Sequence, residues 1–134
     1  MNILDEGTQP IRTEQDIVMA RQLCRKLAQD CGLRLVAQTK LVTAVSELAR
    51  NTLIHGGGGD MAWQVLEEGM RKGLRVVFTD QGPGIADMDL AMTDGWTSGS
   101  GLGLGLTGSK RLVNEFDIET ALGEGTRISI VQWS

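Results

Sequence analysis

"SELARNTLIH", residues 46–55, is the stretch on which the fold turns. Leu48 and Thr52 continue a stripe begun by Leu41 and Val45, with Ala44 and Ala49 beside it, so the spacing predicts an amphipathic helix over about residues 37–54. Glu47 and Asn51 sit four residues apart at the rim of that stripe, next to Arg50. A helix that only faced water would pair Glu with Lys at this spacing, and Asn is a mediocre helix former. Two readings fit the pair. It is a solvated helix face, or it is a working pair in which the carboxylate accepts a proton and the amide oxygen ligates Mg²⁺, a hard cation that takes oxygen ligands.

Upstream, residues 8–12 are expected to form a short edge strand. Thr13 can cap a helix with Asp16 three residues later. Ile17, Ala20, Cys24, Leu27 and Cys31 recur at helical spacing until Gly32 ends the run. Downstream, Gly56–Gly59 terminate the second helix and the period changes to two. Residues 61–67 and 73–79 read as strands joined by a turn, 86–93 as a short helix, and 94–105 as a Gly/Ser-rich loop. A further helix runs into "LTGSKRLVNEF", and 117–122 and 126–133 are strands around a Gly123–Gly125 turn. This order predicts an α+β, two-layer α/β sandwich, a largely antiparallel mixed sheet with helices on one face. No internal repeat or linker interrupts the chain, so one domain is expected over 1–134.

Composition narrows the function classes. Net charge is −4 with no basic run, which argues against nucleic acid as a partner. Nothing approaches the ~18 consecutive apolar residues of a membrane span. The N-terminal "MNILDEGTQP" lacks a basic-then-apolar leader, so a cytoplasmic location is expected. Cys24 and Cys31, about 10 Å apart along one helix, are too distant for a disulfide and read as core thiols. No Cys or His cluster suggests a metal site. His55 reads as a helix C-cap, and Trp63, Trp96 and Trp133 read as packing residues.

The 18 glycines are bunched, which signals loops with particular backbone demands. In "TDQGPGI", residues 79–85, Asp80 ends an apolar strand and Gly82 and Gly84 leave the backbone open to close approach. Asp80 is either a local cap of the turn or the acceptor for an exocyclic amine such as that of adenine. In "TSGSGLGLGLTGSK", residues 97–110, glycines alternate with leucines before a helix begins. The run is either a flexible linker or an anion site made by backbone N–H groups exposed there with the hydroxyls of Thr97, Ser98 and Ser100, and the regular interleaving of Leu favours the site. The spacing matches neither a Walker A loop nor a dinucleotide fingerprint. "GEGTRISI", residues 123–130, reads alone as a hairpin turn in which Thr126 opens a strand.

Taken in order, "ELARN", "DQGPGI", "GLGLGL" and "GEGT" resemble the N, G1, G2 and G3 boxes of the Bergerat-fold (GHKL) ATP-binding superfamily, which includes gyrase, heat-shock chaperones, histidine kinases and mismatch-repair ATPases. Within it the chain most resembles the RsbT-type serine/threonine switch kinases of the bacterial stressosome, through "TEQDIVMARQL", "SELARN", "KGL" and "KRLVNEFDI" as well as the boxes. The run "HGGGGD", residues 55–60, is richer in glycine than that pattern.

The resemblance implies ATP and Mg²⁺ as cofactors. Asn51 would hold Mg²⁺ against the nucleotide phosphates, and Glu47 would be the base for the substrate hydroxyl. Asp80 would bind the adenine amino group with a water and Thr126, and Gly82 and Gly84 would border the base. The run Thr97, Ser98, Gly99, Ser100, Gly101, Leu102, Gly103, Leu104, Gly105 and Leu106 would cover the phosphates, its glycines supplying N–H donors. Arg50 would contact phosphates or stabilise this lid. The implied activity is that of an ATP-dependent protein serine/threonine kinase of a partner-switching module. It would phosphorylate STAS-domain antagonist and scaffold proteins and, once released, activate a partner phosphatase. The alternative is an anti-sigma factor kinase that sequesters a sigma factor and phosphorylates its anti-anti-sigma factor. A nucleotide-gated binding module is a third reading, against which Glu47 speaks, since a pure binder needs no base.

Overall fold

The computed structural model describes residues 1–84 and 105–134. Strand β1 (Asn2–Ile11) leads to helices α1 (Glu14–Asp30) and α2 (Leu35–Ile54). A hairpin of β2 (Gly59–Glu68) and β3 (Arg71–Asp80) follows, then helix α3 (Gly105–Arg111) and a hairpin of β4 (Glu115–Ala121) and β5 (Gly125–Trp133). The strands form one sheet in the order β1-β2-β3-β5-β4, and every pairing among the described residues is antiparallel.

The capping box at Thr13 is complete: its hydroxyl accepts the Asp16 N–H, and the Asp16 carboxylate accepts the N–H groups of Arg12 and Thr13. It starts α1 in the register that buries Ile17, Ala20, Cys24 and Leu27. In α2 the expected stripe is buried, Leu41, Ala44, Val45, Leu48, Ala49 and Thr52 all facing inward. These two helices cover one face of the sheet, where Met61, Leu74, Val76, Phe78, Ile128 and Ile130 complete one hydrophobic core. The period-two pattern of β3 is explicit: Leu74, Val76, Phe78 and Asp80 are buried, while Arg75, Val77 and Thr79 are half-buried. The β2–β3 hairpin closes with Gly69 at φ +61° in the first turn position, where a residue with a β carbon would be strained. Among the described residues, no helix is long and apolar enough to cross a membrane.

Most element boundaries fall within two residues of the sequence expectation, and the larger differences have physical causes. β1 spans ten residues rather than a short segment at 8–12, because it pairs with β2 along nearly its whole length, and backbone pairing leaves no hydrophobic signature in a polar edge strand. The helix expected through residue 116 stops at Arg111. Asn114 ends it by bonding to the sheet: its N–H donates to Gln132 Oε1 (2.9 Å) and its Oδ1 accepts the Trp133 N–H (2.8 Å), so Glu115 opens a strand. Cys31 caps α1 just beyond its last turn. The short helix expected at 86–93 lies outside the described residues, as does the 94–105 loop up to Gly105, which opens α3.

Candidate functional site

The central strands β3 and β5 carry Asp80 and Thr126 opposite each other at one end of the sheet. Both are buried and lie on the face covered by the helices. Oδ1 of Asp80 accepts the N–H of Gly82 at 2.9 Å, which fixes the carboxylate at the start of the turn. The Thr126 hydroxyl is 3.0 Å from that of Thr120, whose own hydroxyl also donates to the Gly125 carbonyl at 3.1 Å. Asp80 and Thr126, linked in the sequence reading, are thus brought together, and Thr120 is an anchor that reading did not name.

Glycines build the walls of this end. A β carbon on Gly56 would stand 2.4 Å from Cγ of Asp80, and one on Gly125, at φ +87°, would stand 2.1 Å from the Asp80 carbonyl oxygen. The turn after β3 folds back the same way: Gly82 packs on Gly56, and the Pro83 carbonyl accepts the N–H of Gly123 at 2.7 Å. Gly84, at φ +75°, leaves no room for a side chain beside the Ala121 carbonyl. The run at 56–59 is therefore part of the site wall as well as a helix terminator. A cavity of about 400 Å³ opens there, between Arg12, Gly56–Asp60 and Thr79–Gln81.

The C-terminal end of helix α2 reaches the same end of the sheet. Its last carbonyls reach into the glycine run: the Asn51 oxygen accepts from His55 and Gly56, and the Thr52 oxygen from Gly58. Glu47 and Asn51 are both half-buried, one turn apart on one face, and Oε2 of Glu47 is buried. They occupy the rim position that the sequence pattern assigned. His55 is the C-cap of α2. Burial holds its imidazole below its ordinary pKa, opposed by the nearby Asp80 carboxylate, so it caps through the backbone more than through charge. Arg50 lies on the flank of α2, where its guanidinium is 3.7 Å from the Glu14 carboxylate of α1. Both groups are exposed, so this pair adds little stability.

The run Thr97–Leu104 lies outside the described residues, as does Trp96. Leu106 is buried in the core at the start of α3. Trp63 and Trp133 pack as expected: Trp63 fills the space left by Gly7, and Trp133 stacks under the Arg71 guanidinium, 3.9 Å from ring centre to cation. Cys24 and Cys31 are buried free thiols.

Comparison with known proteins establishes the family and the fold. Residues 36–133 match the family described as histidine kinase-, DNA gyrase B- and HSP90-like ATPase. The chain is 43% identical over 129 residues to the serine/threonine-protein kinase RsbT of Bacillus subtilis (strain 168), covering 96% of this chain and 97% of that protein. It is 36% identical over 95 residues to the anti-sigma F factor of Clostridium novyi (strain NT), covering 67% and 66% of the two chains. The crystal structure of the RsbU and RsbW domains of Rv1364c from Mycobacterium tuberculosis superposes with a TM-score of 0.62 at 18% identity, over 96% of this chain and 31% of that one, which shows a shared fold. The family match spans both the α2 pair and the Asp80 end of the sheet, and the chain belongs to the histidine kinase-, DNA gyrase B- and HSP90-like ATPase family.

Proposed function

We propose that this chain is an ATP-dependent serine/threonine protein kinase of a partner-switching module, working in the cytoplasm as one domain over residues 1–134. The observation that carries the reading is the packing of the C-terminal end of α2, through Gly56, against the buried Asp80 at one end of the sheet, in a chain aligned end to end with a serine/threonine-protein kinase.

The residues fit a nucleotide with its metal. A buried carboxylate held by one backbone N–H keeps acceptor capacity for an exocyclic amine. Asn51 offers the neutral oxygen donor that Mg²⁺ accepts alongside phosphates and water. When bound, Mg²⁺ supplies charge neutralisation at the phosphates. In this reading Asp80, with Thr126 beside it, takes the adenine amino group, and Gly82 and Gly84 border the base.

Glu47 then does the chain's own chemistry. It orients the serine or threonine hydroxyl and accepts its proton as the oxygen forms a bond to the γ-phosphorus of ATP, with ADP leaving. Phosphoryl transfer asks mainly for positioning, and a helix fixes such groups better than a loop.

The substrates in this reading are STAS-domain antagonist and scaffold proteins, and the released kinase activates a partner phosphatase. The test is incubation of the purified chain and Mg·ATP with the STAS proteins encoded beside it, read by mass spectrometry. One added phosphate on a serine or threonine supports the reading, and no transfer to any of them overturns it. The similarity to an anti-sigma F factor favours a second reading, in which the same chemistry accompanies capture of a sigma factor. A pull-down recovering a sigma factor rather than a scaffold or phosphatase would select it.

A further inference from the structure

Lys40 lies seven residues before Glu47 and eleven before Asn51 on α2. Those offsets return within about 20° of the same angle around a helix, so the three residues share one stripe. The stripe changes character along its length. Glu47 and Asn51 are half-buried at the site, whereas Lys40 is exposed, about 10 Å nearer the N-terminus along the axis.

The neighbours of Lys40 leave it as the available polar group on this part of α2. Thr43 spends its hydroxyl on the Thr39 carbonyl (2.8 Å) and Thr39 on the Leu35 carbonyl (3.0 Å). Gln38 donates to the Leu33 carbonyl at 2.8 Å. Val36 is apolar and 67% exposed. From Cys31 to Ser46 the chain has two cations, Arg34 and Lys40, and no acidic residue. Among the described residues Lys40 makes no ion pair, whereas Arg50, farther along α2, is engaged by Glu14.

We propose that Lys40 is a specificity-determining residue that reads an acidic side chain on the protein substrate. The inference rests on the kinase reading, with Glu47 as the group that receives the acceptor hydroxyl. A substrate segment laid along α2 in extended form advances about 3.3 Å per residue. A gap of about 10 Å therefore places the recognised Asp or Glu about three residues from the phosphorylated serine or threonine. A cation without an acidic neighbour among the described residues both attracts such a carboxylate and repels a basic one, which is how charge confers selectivity more than affinity.

The experiment uses the full chain and a STAS-domain protein that the wild type phosphorylates. Transfer kinetics and Mg·ATP binding are measured for the wild type, Lys40→Glu and Lys40→Arg. The expected result is a kcat/KM reduced about three- to tenfold in Lys40→Glu, mainly through KM for the protein substrate, with Lys40→Arg near wild type and nucleotide affinity unchanged in both. Exchanging the substrate's acidic residue for Lys should restore transfer by Lys40→Glu while impairing the wild type. Undiminished transfer by Lys40→Glu overturns this inference alone, and so does a loss traced to nucleotide binding. Absence of transfer by the wild type to every STAS-domain protein tried as the substrate overturns the kinase reading and this inference with it.

Discussion

Gly56 and Asp80 are packed so closely that a β carbon on the glycine would stand 2.4 Å from the Asp80 Cγ and 2.5 Å from its Cβ. The end of α2 and the end of β3 are thereby locked together through a residue without a side chain. Gly56→Ala is expected to displace the carboxylate and weaken Mg·ATP binding by about tenfold or more, a loss on the scale of one disrupted buried hydrogen-bonding group. Gly57→Ala serves as the control: nothing lies within 4 Å of its added carbon, so its φ of +73° costs stability, about 1 kcal/mol, without touching Asp80. Calorimetric titration of the two variants separates these outcomes.

Helix α1 starts at a complete capping box, and its contribution is measurable. Thr13→Ala removes the acceptor for the Asp16 N–H and should cost about 1 kcal/mol. Leu48→Ala, in the fully buried stripe of α2, should cost about 2–5 kcal/mol. Urea unfolding curves with unchanged slopes check both values.

Burial pushes the Cys24 thiol up to about 12 and raises that of Cys31 as well, with Lys72 partly offsetting the rise at Cys31. The thiolate is the reactive form. A thiol reagent at pH 8 should therefore leave Cys24 unmodified in the native protein and label both cysteines in denaturant. Mass spectrometry after brief labelling reads the difference.

His55 gives a pH dependence whose sign is fixed by the direction of its shift. Burial lowers its folded pKa below the ordinary 6.5, so between the folded value and 6.5 the unfolded chain binds more protons. Stability should rise with pH through that window and be lost as pH falls through it. His55→Gln should flatten this part of the stability profile, as followed by thermal unfolding between pH 5 and about 8.

Much of this architecture was legible in the sequence, and the exceptions have physical causes. The α2 stripe and the alternation in β3 are written in side-chain burial, which periodicity reports directly, and the capping box at Thr13 in hydrogen bonds between residues three apart. The length of β1 is set by backbone bonds to β2, and the early end of α3 by the Asn114 bonds to β5, partners remote in sequence. The placement of Glu47 and Asn51 on one helix face and of Asp80 at a strand end is legible from spacing. Gly56 as a wall of the Asp80 site is not, because a glycine run reads locally as a helix stop, and only the sheet brings it against β3. Thr120 escaped notice for the same reason, its partner Thr126 lying across a hairpin.

The central claim is that Glu47 serves the transfer step while Asp80 serves the nucleotide. The most direct measurement is the single-turnover rate of phosphate transfer to a STAS-domain serine or threonine by Glu47→Gln at saturating Mg·ATP. The account predicts wild-type nucleotide affinity and a rate lowered by about 10²- to 10⁴-fold, the usual worth of a general base. A variant that binds Mg·ATP normally and transfers phosphate at the wild-type rate would contradict it.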